Sequence, residues 1–116
     1  MDKELKQKSR GFGVKVVLLH KQLSARKKET VMSEELLRSG AQVGTELAKA
    51  ECSLSKNDML AKVYKALQNC VEAKYWLQLL NDTDHLTEFE FNDTLKDCEE
   101  LGKLLVARVK ALRAGP

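Results

Sequence analysis

Two tetrapeptides, Ser55-Lys56-Asn57-Asp58 and Thr87-Glu88-Phe89-Glu90, each place a hydroxyl three residues ahead of an acid, just before apolar residues at helical spacing. In such a capping box the hydroxyl accepts from the N3 backbone N–H, and the acid reaches back to the N-cap. Both satisfy donors that a helix start leaves unpaired. The boxes predict that helix 3 runs from Ser55 to about Leu80, with Met59, Leu60, Val63, Leu67, Cys70, Val71 and Leu77 inward. Helix 4 follows to about Arg113, with Phe91, Leu95, Cys98, Leu101, Leu105, Val109 and Leu112 inward. Asn81-Asp82-Thr83-Asp84 marks the turn between them.

Upstream, Phe12, Val16, Leu19 and Leu23 share one face of a helix 1 that ends at Arg26-Lys27-Lys28, where cations complement the C-terminal dipole. Ser33 is the expected N-cap of helix 2, with Leu36, Leu37, Gly40, Val43, Gly44 and Leu47 on its buried face. No segment alternates at period two, and the chain has one Pro and six Gly among 116 residues. The expected fold class is therefore all-α, and short loops favour an up-down-up-down antiparallel four-helix bundle over residues 11–116. Residues 1–10 carry charge but little apolar content, and read as a basic N-terminal arm.

Gly40 and Gly44 are four apart, so they share a side of helix 2 and offer a groove into which another helix can pack. Gly102 falls in the inner stripe of helix 4 and offers a second close approach. Some apolar residues lie on faces that a single bundle would leave polar. Val14 and Leu18 lie opposite the inner stripe of helix 1, and Trp76 and Leu79 project from helix 3 among Lys65, Asn69 and Glu72. Such a second stripe, with a Trp in it, predicts a homo-oligomeric interface at Val14, Leu18, Trp76 and Leu79.

Several functional classes find no support. No apolar run is long enough to cross a bilayer, and none has the form of a signal peptide, so a cytoplasmic protein without membrane partners is expected. Cys52, Cys70 and Cys98 read as reduced, mostly buried thiols. With His20 and His85 far apart they make no close metal-ligand pairs. No Glu-x-x-His pair and no Gly-rich phosphate loop is present, and neither enzymatic activity nor a cofactor is expected.

Charge supplies the positive clue. Residues 1–30 hold nine Lys or Arg against three acids, residues 31–100 seven against fourteen, and residues 101–116 four against none. In an antiparallel bundle the start of helix 1 and the end of helix 4 share one end. Lys3, Lys6, Lys8 and Arg10 would then meet Arg108, Lys110 and Arg113 in a patch suited to nucleic-acid phosphates. No aromatic residue is interleaved with these cations, so base stacking is not indicated. The alternative is a protein-interaction adaptor that docks a partner protein on the acidic middle or the Trp76 face.

Leu37-Arg38-Ser39-Gly40, Val43-Gly44, Leu47-Ala48 and Ala50, then Ser55-Lys56-Asn57-Asp58 and Tyr75-Trp76-Leu77-Gln78-Leu79-Leu80, together resemble the signature of the 23S rRNA intervening-sequence proteins. The likeness extends through Glu99-Glu100-Leu101 and Leu104-Leu105, nearly the whole chain beyond residue 10. It implies a small bacterial four-helix bundle of undefined activity. The family is similar in fold to the accessory variability determinant of diversity-generating retroelements, a basic pentameric ring that binds nucleic acid. That kinship implies a ring-shaped homo-oligomer, a pentamer, with RNA or DNA as partner. The chain departs from the family pattern at Thr45-Glu46, Asn69 and Ala73, which are expected at polar or boundary positions.

Overall fold

The computed structural model describes residues 2–115, apart from the side chain of Lys27. Pro116, included in the expected bundle domain, and the Lys27 side chain of the basic triplet lie outside the described residues. The elements are α1 (Lys3–Gln22), a π turn (Leu23–Lys27), α2 (Val31–Ala50), α3 (Lys56–Asp82) and α4 (Glu88–Ala114), with no strand among the described residues. Each helix packs against two neighbours, α1 on α2 and α4, and α3 on α2 and α4. His20 meets Ser33 at one end of the α1–α2 pair, and Lys6 meets Glu51 at the other. Lys15 reaches Asp93 and Asp97 on α4, while Lys8 reaches Glu100. These pairings set α1 antiparallel to α2 and to α4, and Lys56 at the start of α3 beside Gly115 at the end of α4 sets that pair antiparallel too, in an up-down-up-down four-helix bundle of about 50 × 20 × 20 Å.

Helix 1 begins at Lys3, so residues 3–10 are not a separate arm. Leu5 and Ser9 continue the inward stripe of Phe12, Val16 and Leu19 at helical spacing, and Leu5 is only 1 % exposed. The Asp2 carboxylate caps this start by accepting from the Glu4 N–H at 3.0 Å. One apolar residue among many charges anchors a whole turn, and that is why composition alone pointed to an arm. At the other end the π turn closes when the Lys28 N–H donates to the Leu23 carbonyl, with Lys28 left-handed at φ 54°.

Helix 2 starts earlier than expected, with Thr30 in the N-cap position and Ser33 already inside the first turn. Ser33 is buried: its N–H donates to the Glu29 carboxylate at 2.9 Å, and its hydroxyl donates to the Glu29 carbonyl at 3.0 Å. Ser55 caps α3 by accepting from the Asp58 N–H at 3.0 Å. The Asp58 carboxylate turns to Lys62 at 3.1 Å, so only half of that expected box forms. The lysine holds this carboxyl below its usual range. At Thr87 and Glu90 both halves form, at 3.0 and 2.9 Å.

The two glycines of α2 behave differently. A Cβ on Gly40 would lie 2.9 Å from Val16 Cγ2 and 3.3 Å from Phe12 Cε2, so α1 crosses directly over it. Gly44, one turn on, faces open space. It is a helix-interior glycine without a packing role, contrary to expectation. Gly44→Ala should therefore raise stability by about 0.5–1 kcal/mol, by removing the conformational freedom glycine loses on folding. Urea denaturation checks this, and a lowered midpoint would show that the site is constrained after all. A Cβ on Gly102 would make only an ordinary 3.8 Å contact with Cys70 Sγ.

The core otherwise follows the expected stripes, with Val71 the clear exception at 62 % exposed. The departures from the family pattern are more deeply placed than expected. Thr45 is exposed, but Glu46, Asn69 and Ala73 are all buried, on α2 and α3. The Glu46 carboxylate is paired with Lys49 at 3.2 Å.

Candidate functional site

The expected cationic patch depends on how the ends of α1 and α4 are staggered. Lys15 sits against Asp93 and Asp97, at 2.8 and 2.6 Å, and Lys8 against Glu100 at 2.7 Å. Continuing that register at about 1.5 Å per residue, the last two turns of α4 run past the start of α1. Arg108, Lys110 and Arg113 therefore stand at the end of the bundle, beyond the level of Lys8 and Arg10.

The seven cations consequently divide. Lys8 is bound to Glu100, which raises the lysine and lowers the carboxyl from their ordinary pKa values, each chiefly through the hydrogen bond to the other. Lys6 is paired with Glu51 at 3.1 Å, and with Arg10 it lines a shallow groove between α1 and α2. Lys110 edges a groove between α3 and α4, and Arg113 lies over Asn57, Leu60 and Tyr64 of α3. Among the described residues, Lys3, Arg10, Arg108, Lys110 and Arg113 have no carboxylate within 4.0 Å. Lys3 and the three α4 cations thus occupy the end of the bundle, whereas Lys6, Lys8 and Arg10 flank it.

Lys56 joins this end, a residue that charge counting passed over because it belongs to the acidic middle of the sequence. Its ammonium packs against Gly115, just past the last turn of α4, where a cation complements the negative end of the helix dipole. The signal was present in the α3–α4 hairpin, since antiparallel helices of equal length put the first residue of one beside the last of the other. Lys15 behaves differently from the end cations. Burial would lower its ammonium, but the hydrogen bonds it donates to Asp93 and Asp97 outweigh this and hold it above its ordinary value. It fastens α1 to α4 and is not available to a ligand.

The apolar residues singled out for an interface also separate. Val14 and Leu18 are each 54 % exposed and point straight out from α1. Trp76 is half-buried and packs against the core, and Leu79 is likewise only partly exposed, so neither forms the outward face expected of it. The Trp76 indole N–H is buried without a hydrogen-bond partner. The outward residues of α3 are instead Tyr64, Val71 and Tyr75. Tyr75 meets the Trp76 ring edge-on, at 5.3 Å between centroids.

Among the described residues no three His, Cys, Asp or Glu side chains converge as a metal site would require. Cys70 and Cys98 are buried, and Cys52 is exposed. No helix is long and apolar enough to cross a membrane among the described residues.

Residues 1–107 match the family described as 23S rRNA-intervening sequence protein. No curated protein matches the chain. The fold is similar to the crystal structure of a protein of unknown function from the S23 ribosomal protein family of Bacteroides thetaiotaomicron VPI-5482. The two share 38 % identity at a TM-score of 0.89, over 91 % of this chain and 98 % of that one.

Proposed function

The chain belongs to the family of 23S rRNA-intervening sequence proteins, and on that premise we propose that it is a cytoplasmic, non-enzymatic, homo-oligomeric scaffold that binds the phosphate backbone of RNA or DNA through the basic end of its bundle. The observation that carries this reading is the overhang of α4, which presents Arg108, Lys110 and Arg113 with no carboxylate within 4.0 Å among the described residues. Lys3 and Lys56 adjoin them. Cations free of internal partners can displace the counterions condensed on a polynucleotide, and the gain depends on salt, not on base sequence.

Fluorescence anisotropy with a mixed-sequence duplex tests the proposal. The logarithm of the binding constant should fall linearly with the logarithm of salt, by about 0.9 for each phosphate neutralised. The double substitution Lys110→Ala, Arg113→Ala should weaken binding equally on all sequences and reduce that slope by about 1 for each phosphate left without its cation. If neither duplex RNA nor duplex DNA binds at low salt, the adaptor reading takes its place. One observation favours that second reading: Val71, Tyr75 and Val106 leave an exposed apolar strip along α3 and α4.

Val14 and Leu18 support self-association, because two large aliphatic side chains one turn apart stand in solvent on α1, with Val17 also exposed beside them. Light scattering should give the mass of a pentamer. Val14→Glu with Leu18→Glu should return it to the 13.1 kDa of the single chain while helicity persists. An unchanged mass in the double variant would remove α1 from the interface.

A further inference from the structure

We propose that Cys70 and Cys98 are a modification site, forming a reversible disulfide that staples α3 to α4 when the protein meets hydrogen peroxide. Their sulfurs lie 3.9 Å apart across the α3–α4 seam, from residues 28 apart in sequence. Each thiol also points at the other's backbone, Cys70 Sγ at the Cys98 carbonyl at 3.5 Å and Cys98 Sγ at the Cys70 carbonyl at 3.6 Å. The two helices thus cross with both side chains turned toward one another. Bond formation brings the two sulfurs from 3.9 Å to about 2.05 Å.

Access comes from outside the core. Both residues are almost fully buried, at 3 % and 2 % exposed, yet they form the floor of an open groove of about 630 Å³ between α3 and α4. Gly102 lies in that floor beside Cys70 Sγ and has no side chain to cover it. Lys74 and Lys103 stand at the rim. A small neutral oxidant such as peroxide can reach this floor.

Position assigns the order of events: Gly102 leaves Cys70 Sγ uncovered in the groove, and Lys74 stands one helical turn on from it, so Cys70 is the sulfur that meets the oxidant. The hydrogen bond from Cys98 lowers the Cys70 thiol, burial opposes this, and nearby Lys74 adds to the lowering. The Cys98 thiol is pushed far up by its bond to Cys70 and by burial, and stays protonated. Cys70 therefore supplies the thiolate that attacks one peroxide oxygen. The O–O bond breaks, and the departing hydroxide takes up the Cys70 proton as water, leaving Cys70 as the sulfenic acid. Cys98 Sγ then attacks Cys70 Sγ and the S–O bond breaks. The second hydroxide leaves with the Cys98 proton, again as water. Two electrons pass from the two sulfurs to one peroxide.

The test uses the full chain carrying Cys52→Ser, which removes the exposed thiol. After peroxide treatment, proteolytic mass mapping should find the Cys70 and Cys98 peptides joined, lighter by two hydrogens and separated by dithiothreitol. The linked form should run as a single chain on a non-reducing gel. Recovery of both residues as alkylatable thiols, or of Cys70 as sulfinic acid without a link, would overturn the proposal. A second variant adds Cys98→Ala, which removes the resolving sulfur with little change in size. Dimedone should then label Cys70 in the folded protein. Failure to trap that sulfenic acid would show that Cys70 does not attack peroxide.

Discussion

Leu5→Ala will lower the stability of this protein by about 2–5 kcal/mol, as large-to-small changes in a packed core do. Leu5 is 1 % exposed and sits beneath the first turns of α1, so its removal leaves a cavity at the end of the bundle. Neighbouring Lys3 is exposed, and Lys3→Ala should stay within about 0.5 kcal/mol of the parent. Paired urea titrations of the two variants separate a structural first turn from a mobile arm. Equal midpoints for Leu5→Ala and the parent would mean that residues 3–10 do not help to hold the bundle together.

Gly40→Leu is the other severe change, with an expected cost of about 3 kcal/mol, the upper end of the range for overpacking. The first added carbon would already stand 2.9 Å from Val16 Cγ2, and the branched Val16 side chain has no free end to swing away. Phe12 closes the other side at 3.3 Å. The same substitution at Gly44 provides the internal comparison, because open space lies beyond that position. A much larger loss at position 40 than at position 44 supports the close crossing of α1 over α2. Equal losses would locate the effect in the helix itself and not in its packing.

These two residues also show what the sequence could and could not convey. Periodicity identified the inward faces of all four helices, since Phe12, Val43, Val63 and Leu101 each recur with their neighbours at the spacing of one buried stripe. It could not distinguish Gly40 from Gly44. Both lie on the same side of α2, and only the crossing point of α1 decides which of them is covered. Trp76 lies farther in than its spacing implies for a related reason. Its angular position near Lys65 and Glu72 implies solvent, but a large indole at the flank of α3 reaches back over the core. Asn69 and Glu46 are buried although polar, and hydropathy has no means of anticipating that. The basic end was legible as a sum of charges, but its composition was not. Lys6 and Lys8 meet acids that are 45 and 92 residues away in sequence, Glu51 and Glu100, and Lys56 arrives from a segment whose net charge is negative.

The order in which the helices touch has a kinetic consequence. Three of the four seams join helices that follow one another in the chain, and only α1 against α4 brings distant segments together. Short connections make the three local seams cheap in loop-closure entropy. The mean sequence separation of contacting residues is correspondingly low, which places this topology among helical chains that fold on the order of microseconds to milliseconds. The costliest seam in loop-closure entropy is α1 against α4, where Lys8 and Lys15 reach Glu100, Asp93 and Asp97 across most of the length of the chain.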